Sequence, residues 1–209
     1  MKFRITSLSL LTILCLALAV VPAAADILYS NGPCNCDTDG WTINFGYVVS
    51  DSFLVANNSS IQGLHFVYWD ASLTDVVTTV DMQIGADAFE GNTQTLSGAT
   101  NTFLGINSYG YAIFQADFAF AGVPWSGDGW VTLQNACTTS GCSVSNPIYW
   151  DENSGSSSAY DNGVLGTIPS EAFTLTGSTS GGTTPEPGSV MLFASGVLGV
   201  AGVLRRRLV

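Results

Sequence analysis

The residues best suited to chemistry in this chain come in short groups. Tyr-Trp-Asp occurs twice, as Tyr68-Trp69-Asp70 and Tyr149-Trp150-Asp151. An exposed aromatic ring stacks on the apolar face of a sugar while a neighbouring carboxylate hydrogen-bonds its hydroxyls; buried, the same residues anchor a core and keep a polar handle. Trp69 is the better exposed candidate, because Tyr68 alternates onto the face of Leu64 and Phe66, and Trp150 is its counterpart in the second copy. Trp125 and Trp130 flank Ser126-Gly127-Asp128-Gly129, which reads as a loop whose indoles could line a binding edge. Asp37-Thr38-Asp39-Gly40 offers alternate oxygen ligands and then a glycine for a sharp turn, part of a calcium loop in which Asp37 and Asp39 would be ligands. Val48 stands where a helix-flanked loop needs its last acid. A calcium site would therefore need distant carboxylates, and an ordinary Asp-Gly turn is the simpler expectation.

Catalytic arrangements have less support. Asp151 and Glu152 are adjacent, and neighbours on a strand point to opposite faces, so they do not form the carboxylate pair of a glycosidase. His65 is the only imidazole and no Gly-x-Ser-x-Gly is present, which leaves a Ser-His-Asp hydrolase without its parts. His65 is expected to sit hydrogen-bonded on a sheet face. Thr93/Thr95 and Thr174/Thr176 are isolated Thr-x-Thr pairs, too few for a flat ice-binding array. The expectation is a non-enzymatic protein with no cofactor beyond a structural calcium; a secreted glycan-active hydrolase is the alternative.

Strands must position these groups. Period-2 alternation recurs while no segment keeps a helical period. Trp41, Ile43, Phe45, Tyr47 and Val49 share one face; Phe53 and Val55 follow an expected turn at Ser50-Asp51. Leu64, Phe66 and Tyr68 oppose His65, Val67 and Trp69. Val76, Val80, Met82 and Ile84 form another face, as do Ala112, Phe114, Ala116, Phe118 and Phe120. Short strands are expected around Val131-Leu133, Ile148-Trp150 and Phe173-Leu175. Eight or nine short strands with Gly/Ser/Thr/Asn/Asp turns predict an all-β fold, an antiparallel β-sandwich of jelly-roll-like order, over residues 26–176. Residues 177–184, rich in Gly, Ser and Thr, read as a flexible linker.

The charge balance of this region is one-sided. All five Lys and Arg (Lys2, Arg4, Arg205, Arg206, Arg207) lie at the ends of the chain, and residues 26–184 contain fifteen Asp and Glu, His65 and no other basic residue. Nucleic acid is excluded as a partner, because phosphate contacts need Lys or Arg. Such a surface repels acidic polymers and attracts cations. Four cysteines lie in the same region, Cys34 and Cys36, then Cys137 and Cys142. Disulfides are expected over an all-thiolate zinc site if the compartment is oxidising. Pairing of Cys137 with Cys142 across Thr138-Thr139-Ser140-Gly141 is the simplest arrangement. Cys34 and Cys36 are then a tight local bridge or free thiols, and crosswise pairing is the remaining option.

Both ends are membrane-directed. Lys2 and Arg4, the apolar run Ile5–Val21 and Ala23-Ala24-Ala25 make a secretory signal over residues 1–25, cleaved after Ala25, with Cys15 discarded. At the other end Pro185-Glu186-Pro187 precedes an apolar stretch, Ser189–Leu204, and then Arg205-Arg206-Arg207. As a helix, residues 189–204 would span roughly 24 Å against a hydrocarbon core of about 30 Å, with snorkelling arginines making up the difference. The arginines would stay cytoplasmic and leave residues 26–184 outside.

This order of motif, apolar stretch and basic cluster over residues 185–209 resembles the PEP-CTERM sorting signal of exported bacterial proteins. The resemblance implies recognition by an exosortase, a membrane protease-transpeptidase that processes its substrates near Pro185-Glu186-Pro187. It also implies a Gram-negative host that makes extracellular polysaccharide. The tail also goes under the name of an ice-binding protein C-terminal domain, which describes the tail and not what precedes it. Trp41 to Tyr47 and Tyr149 to Gly155 are similar to stretches of uncharacterised PEP-CTERM proteins, a likeness that implies fold and not activity. The expectation is an exported protein anchored by its C-terminal helix and then moved to the cell surface or extracellular matrix, with polysaccharide as a partner.

Overall fold

The computed structural model describes residues 25–142, 146–164 and 166–179, together with Gly196. The expected signal peptide up to Ala24 lies outside the described residues. So do linker residues 180–184 and, Gly196 apart, the sorting tail 185–209 with its apolar stretch 189–204. Among the described residues no helix is long and apolar enough to cross a membrane.

Alternation of apolar and polar residues draws the chain into ten strands: β1 (Asp26–Ser30), β2 (Gly40–Thr42), β3 (Val48–Asp70), β4 (Val77–Gly85), β5 (Gln94–Ser97), β6 (Thr100–Ile106), β7 (Ala112–Thr138), β8 (Tyr149–Asp151), β9 (Ala159–Asp161) and β10 (Phe173–Thr179). Every pairing between them is antiparallel. They join in one connected sheet ordered β1-β10-β3-β7-β4-β5. Off this path β6 pairs with β7, β9 with β3, and β8 with both β3 and β2. The all-β, antiparallel expectation holds, but two of the strands are far longer than expected.

Those two, β3 and β7, pair with each other along most of their length. On the first half of β3 the odd positions face inward: Val49, Asp51, Phe53 and Val55 are buried, whereas Leu54 is 60% exposed. On the second half the even positions do so, as Leu64, Phe66 and Tyr68. A strand repeats every two residues, so a change of phase needs an irregularity. The register against β7 shifts between Val55 and Ser59 and again between Ile61 and Gly63. Gly63 fits this second break: a Cβ there would lie 3.3 Å from the Phe118 carbonyl and closer still to Thr176 Oγ1. Both halves of each long strand feed one core cluster, Phe53, Phe66, Phe114, Phe118, Val131 and Leu133 among its members.

Several expectations need correction. The run Trp41–Val49 is not one strand, because Phe45 and Gly46 adopt positive φ (56° and 86°) and Tyr47 N donates to Asn44 O at 3.0 Å, a tight turn between β2 and β3. Phe45 and Tyr47 are exposed as a result. Ser50 and Asp51 are not a turn; both are fully buried within β3. Trp125 and Trp130 lie within β7 and not in a loop. Val77, not Val76, opens the buried face of β4. Gly177 to Thr179, assigned by composition to the linker, extend β10 by pairing with Ile61, Ser60 and Ser59. Both disulfides are local, Cys34–Cys36 and Cys137–Cys142, with Cα separations of 5.1 and 4.3 Å. His65 is satisfied as expected, Nδ1 lying 2.7 Å from Asp117 Oδ1 and Nε2 3.3 Å from Thr176 Oγ1.

Phe66 is buried in the second half of β3, its ring against Tyr68, Phe118 and Trp150. Phe66→Ala should cost about 3–5 kcal/mol by urea denaturation, as a deeply buried ring does. Leu54→Ala on the opposite face should change stability by less than about 0.5 kcal/mol. Equal losses at the two sites would contradict the assignment of faces.

Candidate functional site

The two Tyr-Trp-Asp copies lie side by side in the sheet. Tyr68 pairs with Trp150 and Trp69 with Tyr149, so the pleat sends one aromatic of each copy to each face. Tyr68 and Trp150 go to the core and are fully buried. Trp150 Nε1 donates to Ala172 O at 3.1 Å, and β2 packs beside it with Trp41 opposite. Trp150 therefore cannot meet a glycan, a correction to its candidacy. Gly40 permits this approach: a Cβ on it would stand 2.9 Å from the Trp150 carbonyl and 3.0 Å from Tyr149 Cβ.

Trp69 and Tyr149 go to the other face and form a recess of about 340 Å³ with Tyr109, Tyr111, Thr38, Asp39 and Gly40. Trp69, expected as the exposed ring of the pair, is instead buried at 5% exposure, a correction, and forms the floor of the recess. Its ring lies 6.1 Å from both Tyr109 and Tyr111 and 6.4 Å from Tyr149, and Tyr111 meets Tyr149 edge-on at 5.6 Å. Tyr109 is the outer wall, 63% exposed. It rides on a turn closed by Gly110 N donating to Asn107 O, and Asn107 Oδ1 accepts the Tyr109 and Tyr111 amides at 3.1 and 2.9 Å. Asp37 Oδ1 accepts Ser108 N at 2.6 Å and Asp39 Oδ1 accepts Gly40 N at 2.8 Å, so the Asp-Thr-Asp-Gly segment clamps the recess rim. Burial raises the Tyr149 hydroxyl pKa, and Tyr111 and Asp39 raise it further, so it remains a donor. Tyr109 and Tyr111, the walls, were not singled out by sequence; the signal was two tyrosines bracketing a glycine beside an apolar strand.

The remaining candidates separate. Trp125 is half-buried against Phe53 at 6.1 Å, its Nε1 donating to Asp128 O, and it lines a larger recess of about 560 Å³ whose other residues are Asn58, Ser59, Ser60, Pro124 and Ser126. Trp130 packs on Tyr160 at 5.4 Å. Neither reaches the Trp69 recess. A single aromatic makes the larger recess the weaker platform for a sugar ring.

Behind the recess floor lies a group of buried acids that sequence reasoning did not anticipate. Trp69 Nε1 donates to Asp151, and Cys36 N approaches both Asp151 oxygens at 3.1 and 3.3 Å. Asp51 accepts Glu171 N at 2.6 Å and Asn31 Nδ2 at 3.2 Å. Glu171 is fully buried, and among the described residues neither of its carboxyl oxygens has a partner. Burial pushes Asp51 and Asp151 up to about 7 despite these hydrogen bonds. Burial, followed by the charges of Asp51, Asp151, Glu152 and Asp39, holds Glu171 well above the usual range. Asp75 is the opposite case. Burial would raise it, but hydrogen bonds from Thr139, Thr138 and Ser140 prevail and lower its pKa.

A carboxyl with a raised pKa keeps its proton in the folded state after the unfolded chain has lost it. Its contribution is whole below the ordinary 3.8 of an aspartic acid and is lost as pH rises through about 7. Urea midpoints should therefore fall between about pH 5 and pH 8.5, and Glu171→Gln should flatten that fall. A midpoint that rises with pH over this interval would contradict the assignment of neutral buried acids.

Comparison with known families places one part of the chain. The family model described as the PEP-CTERM protein-sorting motif matches residues 183–207, which hold Pro185-Glu186-Pro187 and Arg205-Arg206-Arg207. No curated protein matches the chain. The motif implies export and sorting by an exosortase-type system, and this chain carries a PEP-CTERM protein-sorting motif at residues 183–207.

Proposed function

We propose that the exported body is a non-enzymatic glycan-binding protein of the cell surface or extracellular matrix, with the Trp69 recess as its sugar subsite. Under this reading the apolar tail, residues 189–204, anchors the protein in the membrane until the exosortase acts. The two halves of β3 and β7 then fold over one another as layers of a sandwich, a reading supported by the main core cluster, to which both halves contribute. The observation that carries the binding proposal is the convergence of Trp69, Tyr109, Tyr111 and Tyr149 on one open recess with Asp39 on its rim. Aromatic faces offer apolar contact to pyranose rings, and tyrosine hydroxyls and a carboxylate offer hydrogen bonds to sugar hydroxyls. Among the described residues that line it, Asp39 is the only carboxylate, whereas glycoside hydrolysis uses two carboxyls flanking the bond. Without Lys or Arg in residues 26–184, uronic acids and sulfated sugars would be repelled, and neutral glycans suit the site.

Binding of the exported protein to a panel of neutral and acidic polysaccharides, with and without calcium, tests this. A neutral polysaccharide should bind, and Tyr109→Ala should weaken it about tenfold, a loss of about 1.4 kcal/mol. Silence across the panel, or affinity unchanged in Tyr109→Ala, would sink the proposal. A requirement for calcium would assign Asp37 and Asp39 as its ligands.

A further inference from the structure

We propose that Cys34–Cys36 is a redox-active disulfide that exchanges with an external dithiol, and that Asp151 is its proton donor and acceptor. The sulfur atoms of Cys34 and Cys36 and a carboxylate oxygen of Asp151 all lie within 4.8 Å of one another. Cys36 N faces the carboxylate directly. Cys34, on the other side, lines a groove of about 290 Å³ with Gly32, Pro33, His65 and Phe173, so a reagent arriving from solvent meets Cys34 first. Asp151 itself is fully buried. The disulfide thus lies between an open groove and a carboxyl sealed from water.

Thiol–disulfide exchange has matching needs: in-line access to one sulfur and a proton for the sulfur that leaves. A thiolate of the dithiol attacks Cys34 Sγ through the groove; a mixed disulfide forms and the Cys34–Cys36 bond breaks. Cys36 departs as a thiolate and takes the proton of neutral Asp151. The second thiol of the reagent then attacks the mixed disulfide, returns a proton to Asp151, and leaves as a cyclic disulfide with Cys34 reduced. The attacking thiolate and the second thiol together supply two electrons and one proton, Cys34 leaves as a thiolate that takes its proton from solvent in the groove, and in reverse the Asp151 carboxylate accepts the Cys36 thiol proton. Glu152 and Glu171 are the titratable groups that act with Asp151: the Glu152 charge raises the Asp151 pKa, and the Asp151 charge in turn raises that of Glu171. A carboxyl raised to about 7 can hold or release this proton near neutrality.

Cys137–Cys142 supplies an internal control. Cys142 is exposed, whereas Cys137, Cys34 and Cys36 are all half-buried. Among the described residues no carboxylate is gathered with Cys137 and Cys142. Exposure alone predicts that Cys137–Cys142 is reduced first. The test treats the exported protein with dithiothreitol, alkylates at intervals and maps the two disulfides by mass spectrometry. Cys34–Cys36 should open about tenfold faster than Cys137–Cys142, and Asp151→Asn should slow only the first, by about tenfold. Faster opening of Cys137–Cys142, equal rates, or an unchanged Cys34–Cys36 rate in a folded Asp151→Asn would overturn the proposal. If that variant fails to fold, the wild-type pH profile decides. An inflection near the Asp151 value of about 7, confined to Cys34–Cys36, is expected, and a rate that tracks only the reagent's thiolate fraction would overturn it.

Discussion

Residues 26–184 contain fifteen carboxyl side chains, one imidazole and neither Lys nor Arg, so a carboxyl removed from water has almost no side-chain cation to meet. An uncompensated buried charge costs several kcal/mol, and the fold meets this constraint in three ways. Asp117 takes the single imidazole, His65. Asp75 collects hydrogen bonds from Thr138, Thr139 and the Ser140 amide and stays ionised in a polar nest. Asp51, Asp151 and Glu171 go into the interior, where burial favours the neutral acid. A neutral acid can bridge polar backbone inside a β-sheet without a counter-ion, which is how Asp51 comes to sit at a core-facing position of β3 and Asp151 behind the Trp69 indole on the other face of β8.

The same geometry builds the recess and its backing. Because Tyr68 pairs with Trp150 and Trp69 with Tyr149, one tripeptide used twice supplies two core rings and two recess rings. The acid that follows the second copy then lies behind the Trp69 indole and receives its N–H. The Cys34–Cys36 segment crosses over that carboxyl, and the chain beyond it, Asp37 to Gly40, forms the recess rim. Aromatic floor, carboxyl and disulfide are therefore mechanically continuous from groove to recess. The proposed binding and redox roles draw on different faces of this unit.

Much of the fold was legible because period-2 alternation is a local signal. Leu64–Trp69 and Ala112–Phe118 follow their expected faces, and the all-β class follows from them. Length was not legible: polar pairs such as Ser50-Asp51 and the Gly-rich Pro124–Trp130 segment look like turns, yet long strand pairing absorbs them, one with a neutralised acid and the other with glycines close to β3. Phe45 continues the alternation in sequence but lies in a left-handed turn with Gly46, an adjustment that hydrophobicity does not report. For the site, Trp69 and the rim residue Asp39 were visible as types. Which Tyr-Trp-Asp aromatic points where depends on the two copies pairing with each other, a non-local fact. The acid cluster was hidden for the same reason, since Asp51, Asp151 and Glu171 are remote in sequence. The sorting tail was the most legible part of the chain, because its meaning lies in linear order and not in folding.

The claim on which this account rests is that the interior carboxyls are neutral near physiological pH. Carbon-13 NMR titration of the Asp51, Asp151 and Glu171 side-chain carboxyls reads that state residue by residue. The account predicts that at about pH 6 these three carry the chemical shift of the protonated acid while Asp75, whose pKa is lowered, is ionised. Ionised shifts for Asp51, Asp151 and Glu171 at that pH in the folded protein would contradict it.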